Sequence, residues 1–141
     1  MSLERYIKAQ APVYARALAE LKRGEKQSHW MWYIFPQFAG LGRSSVSQHF
    51  AIRSRAEAKA YLAHPELGPR LRECATALLA HPDRSAREIM GTPDDLKLRS
   101  SATLFVAVSS ESVFQALLDQ FFAGQPDPET LRLMREAEGN A

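Results

Sequence analysis

"TPDDLKLRSSATLFVAV" occupies residues 92–108, and whether it is strand or helix decides the fold. Its second half, TLFVAV, is the one segment of the chain with strand character in its β-branched and aromatic content. Its first half argues the other way. Thr92 suits a helix cap, Pro93 suits a first helical position that needs no N–H, and Asp94 and Asp95 sit where a helix carries positive charge. A helix started so firmly is expected to run through Val108. Nowhere does the chain sustain a period of two with β-branched residues.

The flanking sequence repeats this punctuation. Pro12 opens a run with Val13, Ala17, Leu18 and Leu21 at helical spacing, Gly24 stops it, and residues 3–9 can add a short turn before it. Ser54 with Glu57, and Ser85 with Glu88, are capping-box pairs, and Gly91 is placed as a stop. Leu67, Leu71, Ala75, Leu78 and Leu79 form one face of a helix starting near Gly68, with His81-Pro82 closing it. Ser109 or Ser110 caps a helix that ends at Gly124, and Asp127-Pro128 starts the last one. The fold class is therefore all-α: a compact single domain, residues 1–141, of seven or eight short helices, with the final EGNA fraying.

Composition agrees. The chain has 141 residues, 45% of them hydrophobic and 24% charged, which suits a globular domain. Its net charge is +2, with basic residues interspersed among acids as in RLREC and RLMREAE, so a nucleic-acid partner is not expected. Cys74 is the single cysteine and lies at helical spacing from Leu71 and Leu78, as a core residue would. An internal disulfide is impossible, and a cytoplasmic location is expected. The first twelve residues do not read as a secretory signal, and no segment is apolar enough for a membrane span.

Three groupings are candidates for function. The first is SHWMWYIFPQF, residues 28–38, with room for a helix of about two and a half turns before Pro36. Aromatics on nearly all sides suit a central packed element, while His29, Trp30 or Trp32 could instead reach a pocket. The second is GLGRSS, residues 40–45. Gly40, Gly42, Arg43, Ser44 and Ser45 lead into a helical VSQHFAI segment and could hold an anion, or simply form a turn and cap. The Walker ending is absent. The third is the hydroxyl series Ser100, Ser101 and Thr103 with Lys97: either close helix packing with hydroxyls bonded back to carbonyls, or a polar wall facing the aromatics. His64 and His81 precede prolines at helix boundaries and suit structural use. No zinc-like spacing accompanies His29 and His49, so no metal is called for, nor any cofactor.

HWMWYIFPQ, GLGRSS, AYLAHPELGPRL, DDLKLRSSATLF and DPETLRL together resemble the small bacterial proteins of domain-of-unknown-function family 1810. The resemblance covers nearly the whole chain. Ala102 stands where a methionine is expected, a modest change in packing. The resemblance implies an all-helical cytosolic protein whose activity is unassigned. Some members carry a "calpastatin" label, but protease inhibition would need an exposed binding segment, which a compact fold lacks.

Two functions of different kind follow. One is binding, with or without processing, of a phosphate-bearing small ligand such as a nucleotide or an ADP-ribose-like compound. The aromatic face stacks a planar group, GLGRSS takes the phosphate, and His29 is the candidate acid–base group. The other is a non-catalytic interaction or assembly module whose aromatics are core. The first requires the three groupings to meet around one hollow.

Overall fold

In the computed structural model, which describes residues 2–139, the chain forms ten helices. They are α1 (Glu4–Gln10), α2 (Tyr14–Arg23), α3 (Met31–Ile34), α4 (Ser45–His49), α5 (Arg55–Ala63), α6 (Leu67–Leu79), α7 (Ala86–Met90), α8 (Asp94–Val108), α9 (Ser112–Phe122) and α10 (Pro128–Gly139). The count exceeds seven or eight because several are single turns cut short by neighbouring stops; α3, α4 and α7 have five residues or fewer. No strand forms among the described residues; one isolated parallel bridge joins Phe38 to Ile52. The fraying expected of EGNA falls partly on residues outside the described range, and Gly139 still belongs to α10.

TLFVAV is helical, and α8 is the axis of the molecule. Residues 100–105 are all buried, and six in a row span more than a full turn, so neighbours cover the helix on every side. Helices α5, α7, α9 and α10 supply that cover. The small side chains Ser100, Ser101 and Ala102 let them approach closely. Thr103 donates back to the Arg99 carbonyl at 2.8 Å, and Ser100 is placed to donate to the Leu96 carbonyl at 3.2 Å. α8 thus takes the central place that the aromatic density suggested for residues 28–38. It starts at Asp94, one residue beyond the expected Pro93, after a cis Thr92–Pro93 bond.

Local signals explain most boundaries. Gly24 ends α2 in the left-handed conformation at φ 74°. Ser85 and Glu88 form the full reciprocal box on α7. Ser54 caps α5 by accepting from Glu57 N, but the Glu57 carboxylate turns to Arg53 N at 2.9 Å and to Arg5 at 3.3 Å instead. The α6 helix begins at Leu67, with Pro69 in a first turn that needs no N–H from it. His64 Nδ1 accepts from Glu66 N and Leu67 N at that start. His81 Nε2 meets the Leu21 carbonyl at 2.8 Å, tying α2 to the end of α6. α9 starts after Glu111 rather than after Ser109 or Ser110. Cys74 is fully buried, and burial pushes its thiol up to about 12. No helix among the described residues is long and apolar enough to cross a membrane.

Candidate functional site

The aromatic stretch forms one helical turn rather than two and a half, and a carboxylate accounts for the difference. Glu20, on α2, is 2% exposed. Its Oε1 accepts from Gln27 N at 2.8 Å, Ser28 N at 3.0 Å and Trp30 Nε1 at 2.9 Å, and its Oε2 accepts from Ser28 Oγ at 2.6 Å. Backbone N–H groups spent on Glu20 cannot enter a helical ladder, so residues 25–30 wrap around the carboxylate and α3 starts only at Met31. Burial alone would raise the Glu20 pKa, but these four donors outweigh it and hold the group down at about 2.

The same anchor sorts the tryptophans. Trp30 is fully buried with its N–H on Glu20. Trp32, two residues on, is about 200° further round the turn and is half-buried on the other side. After Pro36 the chain runs extended. Ile52 N donates to the Gln37 carbonyl and Ala39 N to the Ile52 carbonyl, both at 2.8 Å. This pairing sets residues 50–53 beside residues 37–39. At Gly40, with φ 105°, a Cβ would lie 2.9 Å from Leu133 of α10. At Gly42 it would lie 2.4 Å from Ser47 Oγ, so the loop closes directly on α4.

Two adjoining hollows result, and Trp32, Gln37, Gly42 and Ser47 line both. The first, about 260 Å³, is completed by Phe50 and Arg53 among others, with Gly40 at its edge. The second, about 320 Å³, is completed by Lys97 and Ser100 of α8 and by Asp127 and Glu129 at the start of α10. Arg53 donates to the Gln48 carbonyl at 3.0 Å and pairs with no carboxylate among the described residues. The Lys97 ammonium stands 4.7 Å above the Trp32 ring and 3.3 Å from Asp94. Asp127 is held on three sides: Oδ2 takes Thr130 Oγ1 at 2.6 Å and Thr130 N at 3.2 Å, with Ser100 Oγ 3.0 Å away, while Asp127 N donates to Thr103 Oγ1 at 2.8 Å.

The candidate residues divide accordingly. Trp32, Gly40, Gly42, Lys97 and Ser100 border the hollows. Trp30, Ser101 and Thr103 are buried in the interior. Ser101 Oγ has no hydrogen-bond partner among the described residues, and Thr103 serves the Asp127 backbone. His29, Arg43, Ser44 and Ser45 are exposed and line neither hollow. His29 uses its carbonyl, which accepts from Tyr33 Oη at 3.2 Å. Ser44 caps α4, its Oγ accepting from Ser47 N at 3.1 Å. Gln37, Ser47, Phe50, Arg53, Asp127 and Glu129 are lining residues that the sequence did not single out. Only Asp127 carried a signal, as a helix cap. Among the described residues no three His, Cys, Asp or Glu side chains cluster as metal ligands would.

Comparison with known proteins agrees with the fold. No curated protein matches the chain. A crystal structure of a conserved hypothetical protein from Mycobacterium tuberculosis is 46% identical and superposes with a TM-score of 0.93, over 94% of this chain and 96% of that one. The model of the family described as "Protein of unknown function (DUF1810)" matches residues 1–134, and the chain belongs to that family.

Proposed function

We propose that the protein binds a small phosphate-bearing ligand with a planar group, a nucleotide or an ADP-ribose-like compound, in the double hollow around Trp32. The observation that carries this is Trp32 itself: a half-buried indole forming the wall common to two adjoining concavities. A large aromatic left at such a junction offers a stacking face. The cations at the two ends, Arg53 and Lys97, suit the anionic part of the ligand. Arg53 takes the role that the sequence suggests for Arg43, whose side chain lies outside the hollows. The amides of Gln37 and Gln48 and the Ser47 hydroxyl add neutral polar contacts. Asp127, whose Oδ1 makes no hydrogen bond among the described residues, suits a hydroxyl donor such as that of a ribose, while Glu129 pairs with Arg132. His29 lies outside the hollows, and binding alone is proposed.

Among the described residues the exposed large hydrophobic ones are Val46 and Leu96, which gives an assembly module less support than the hollows give a ligand. Isothermal titration with AMP and ADP-ribose tests the proposal. Binding is expected for the wild type and should weaken at least tenfold in Trp32→Ala and in Arg53→Ala, with both variants still folded by circular dichroism. Wild-type affinity retained in both variants, or no heat with either compound, refutes it.

A further inference from the structure

Lys97 lies over the Trp32 ring where both line the second hollow. It is the outer end of an alternating chain of cations, rings and one carboxylate. Lys26 Nζ lies 4.9 Å over Trp30 and 2.8 Å from Asp94 Oδ2, while Asp94 Oδ1 lies 3.3 Å from Lys97 Nζ, which in turn covers Trp32. One aspartate thus bridges two lysines, each seated on a tryptophan.

The two ends differ in a way that matters. The Lys26 side chain is 7% exposed, its ring is fully buried, and its ammonium also donates to the Ser28 carbonyl at 2.7 Å. Removing a partner there would leave a buried charge, so this end is fixed. The Lys97 side chain is 25% exposed and its ion pair is longer. A longer, partly exposed ion pair and a cation–π contact are each weaker than the buried inner pair, and a lysine stem bends easily. The outer end can therefore open while the inner one holds.

We propose that Lys97 is a displaceable cover on Trp32 that sets the charge specificity of the cleft. The ligand's ring takes the indole face, and the released ammonium pairs with the ligand's phosphate. A neutral ring must displace the cover and gains the stack alone; a phosphorylated ring also regains an ion pair. This deepens the nucleotide proposal and rests on it.

The test titrates adenosine and AMP into wild type, Lys97→Ala and Lys97→Arg, following tryptophan fluorescence. Acrylamide quenching of the ligand-free proteins is measured alongside. Lys97→Ala should raise quenching, because Trp32 is uncovered while Trp30 stays buried. It should bind adenosine about fivefold tighter, the scale of one partly exposed ion pair and one cation–π interaction that the ring no longer has to break. It should bind AMP no better, so the preference for AMP falls at least fivefold with the phosphate's partner removed. Lys97→Arg should restore the preference. An AMP-to-adenosine ratio unchanged in Lys97→Ala, or unchanged quenching, overturns the cover and leaves the cleft standing. A wild type that binds neither compound overturns both.

Discussion

Replacing Glu20 by glutamine removes one charge and nearly nothing else. The amide oxygen can still accept from Gln27 N, Ser28 N and Trp30 Nε1, and the Ser28 hydroxyl can rotate to accept from the new amide nitrogen. What disappears is the charge assistance of those bonds. Its size follows from the shift in pKa between the unfolded and folded chain. The group falls from an ordinary 4.5 to about 2 on folding, which corresponds to about 3 kcal/mol of stability near neutral pH. Because the folded value is the lower one, this contribution is complete above about pH 5. It is lost as pH falls towards 2, with about 1 kcal/mol left at pH 3. Urea unfolding of wild type and Glu20→Gln, followed by far-UV circular dichroism, should therefore show a gap of about 3 kcal/mol at pH 7. That gap should shrink to about 1 kcal/mol at pH 3. Carboxylates common to both proteins, such as Glu111 held down by the Arg72 guanidinium, cancel in the difference. A gap under about 1 kcal/mol at pH 7, or one that does not narrow with acid, would refute the claim that Glu20 organises residues 25–30 as a charged acceptor.

Ser101 offers the opposite case. It is 1% exposed and its hydroxyl has no partner among the described residues. Ser101→Ala should leave stability unchanged or raise it by up to about 1 kcal/mol in chemical denaturation, and a loss larger than that would mean the hydroxyl has a partner. At Gly42 a methyl group would meet Ser47 Cβ at 2.5 Å, an atom that no rotamer change can move. Gly42→Ala should therefore cost about 1–3 kcal/mol in the same assay and weaken AMP binding by shifting the wall shared by both hollows; a variant as stable as wild type would contradict the close approach.

The features legible in the sequence are those whose hydrogen bonds are local. The Ser85 box, the left-handed Gly24 and the start of α10 at Asp127 each need only three or four residues, and all stand as read. TLFVAV is decided by its start signals, since strand propensity yields to burial on every side. The aromatic stretch reads as too long a helix because its competitor lies elsewhere. Glu20 sits in LAELKRG, which reads as an ordinary charged helix end, and nothing local shows that it will claim two backbone N–H groups from residues 27 and 28. Arg53, Gln37 and Ser47 escape notice for a related reason. The bridge of Phe38 to Ile52 that gathers them has no strand pattern to announce it.

Choosing between Trp30 and Trp32 shows how one such bond reaches the site. On a single turn the two indoles must point apart, so one is core and the other is not. Periodicity does not decide which. A buried indole N–H needs an internal acceptor, and the nearby buried acceptor is Glu20, which meets Trp30. Trp30 is thereby committed to the interior, and Lys26, drawn in beside it, reaches Asp94 at the head of α8. The other Asp94 oxygen then places Lys97 over Trp32. A carboxylate that touches neither hollow thus fixes which tryptophan lines them, and the aspartate at the head of α8 fixes which cation covers it.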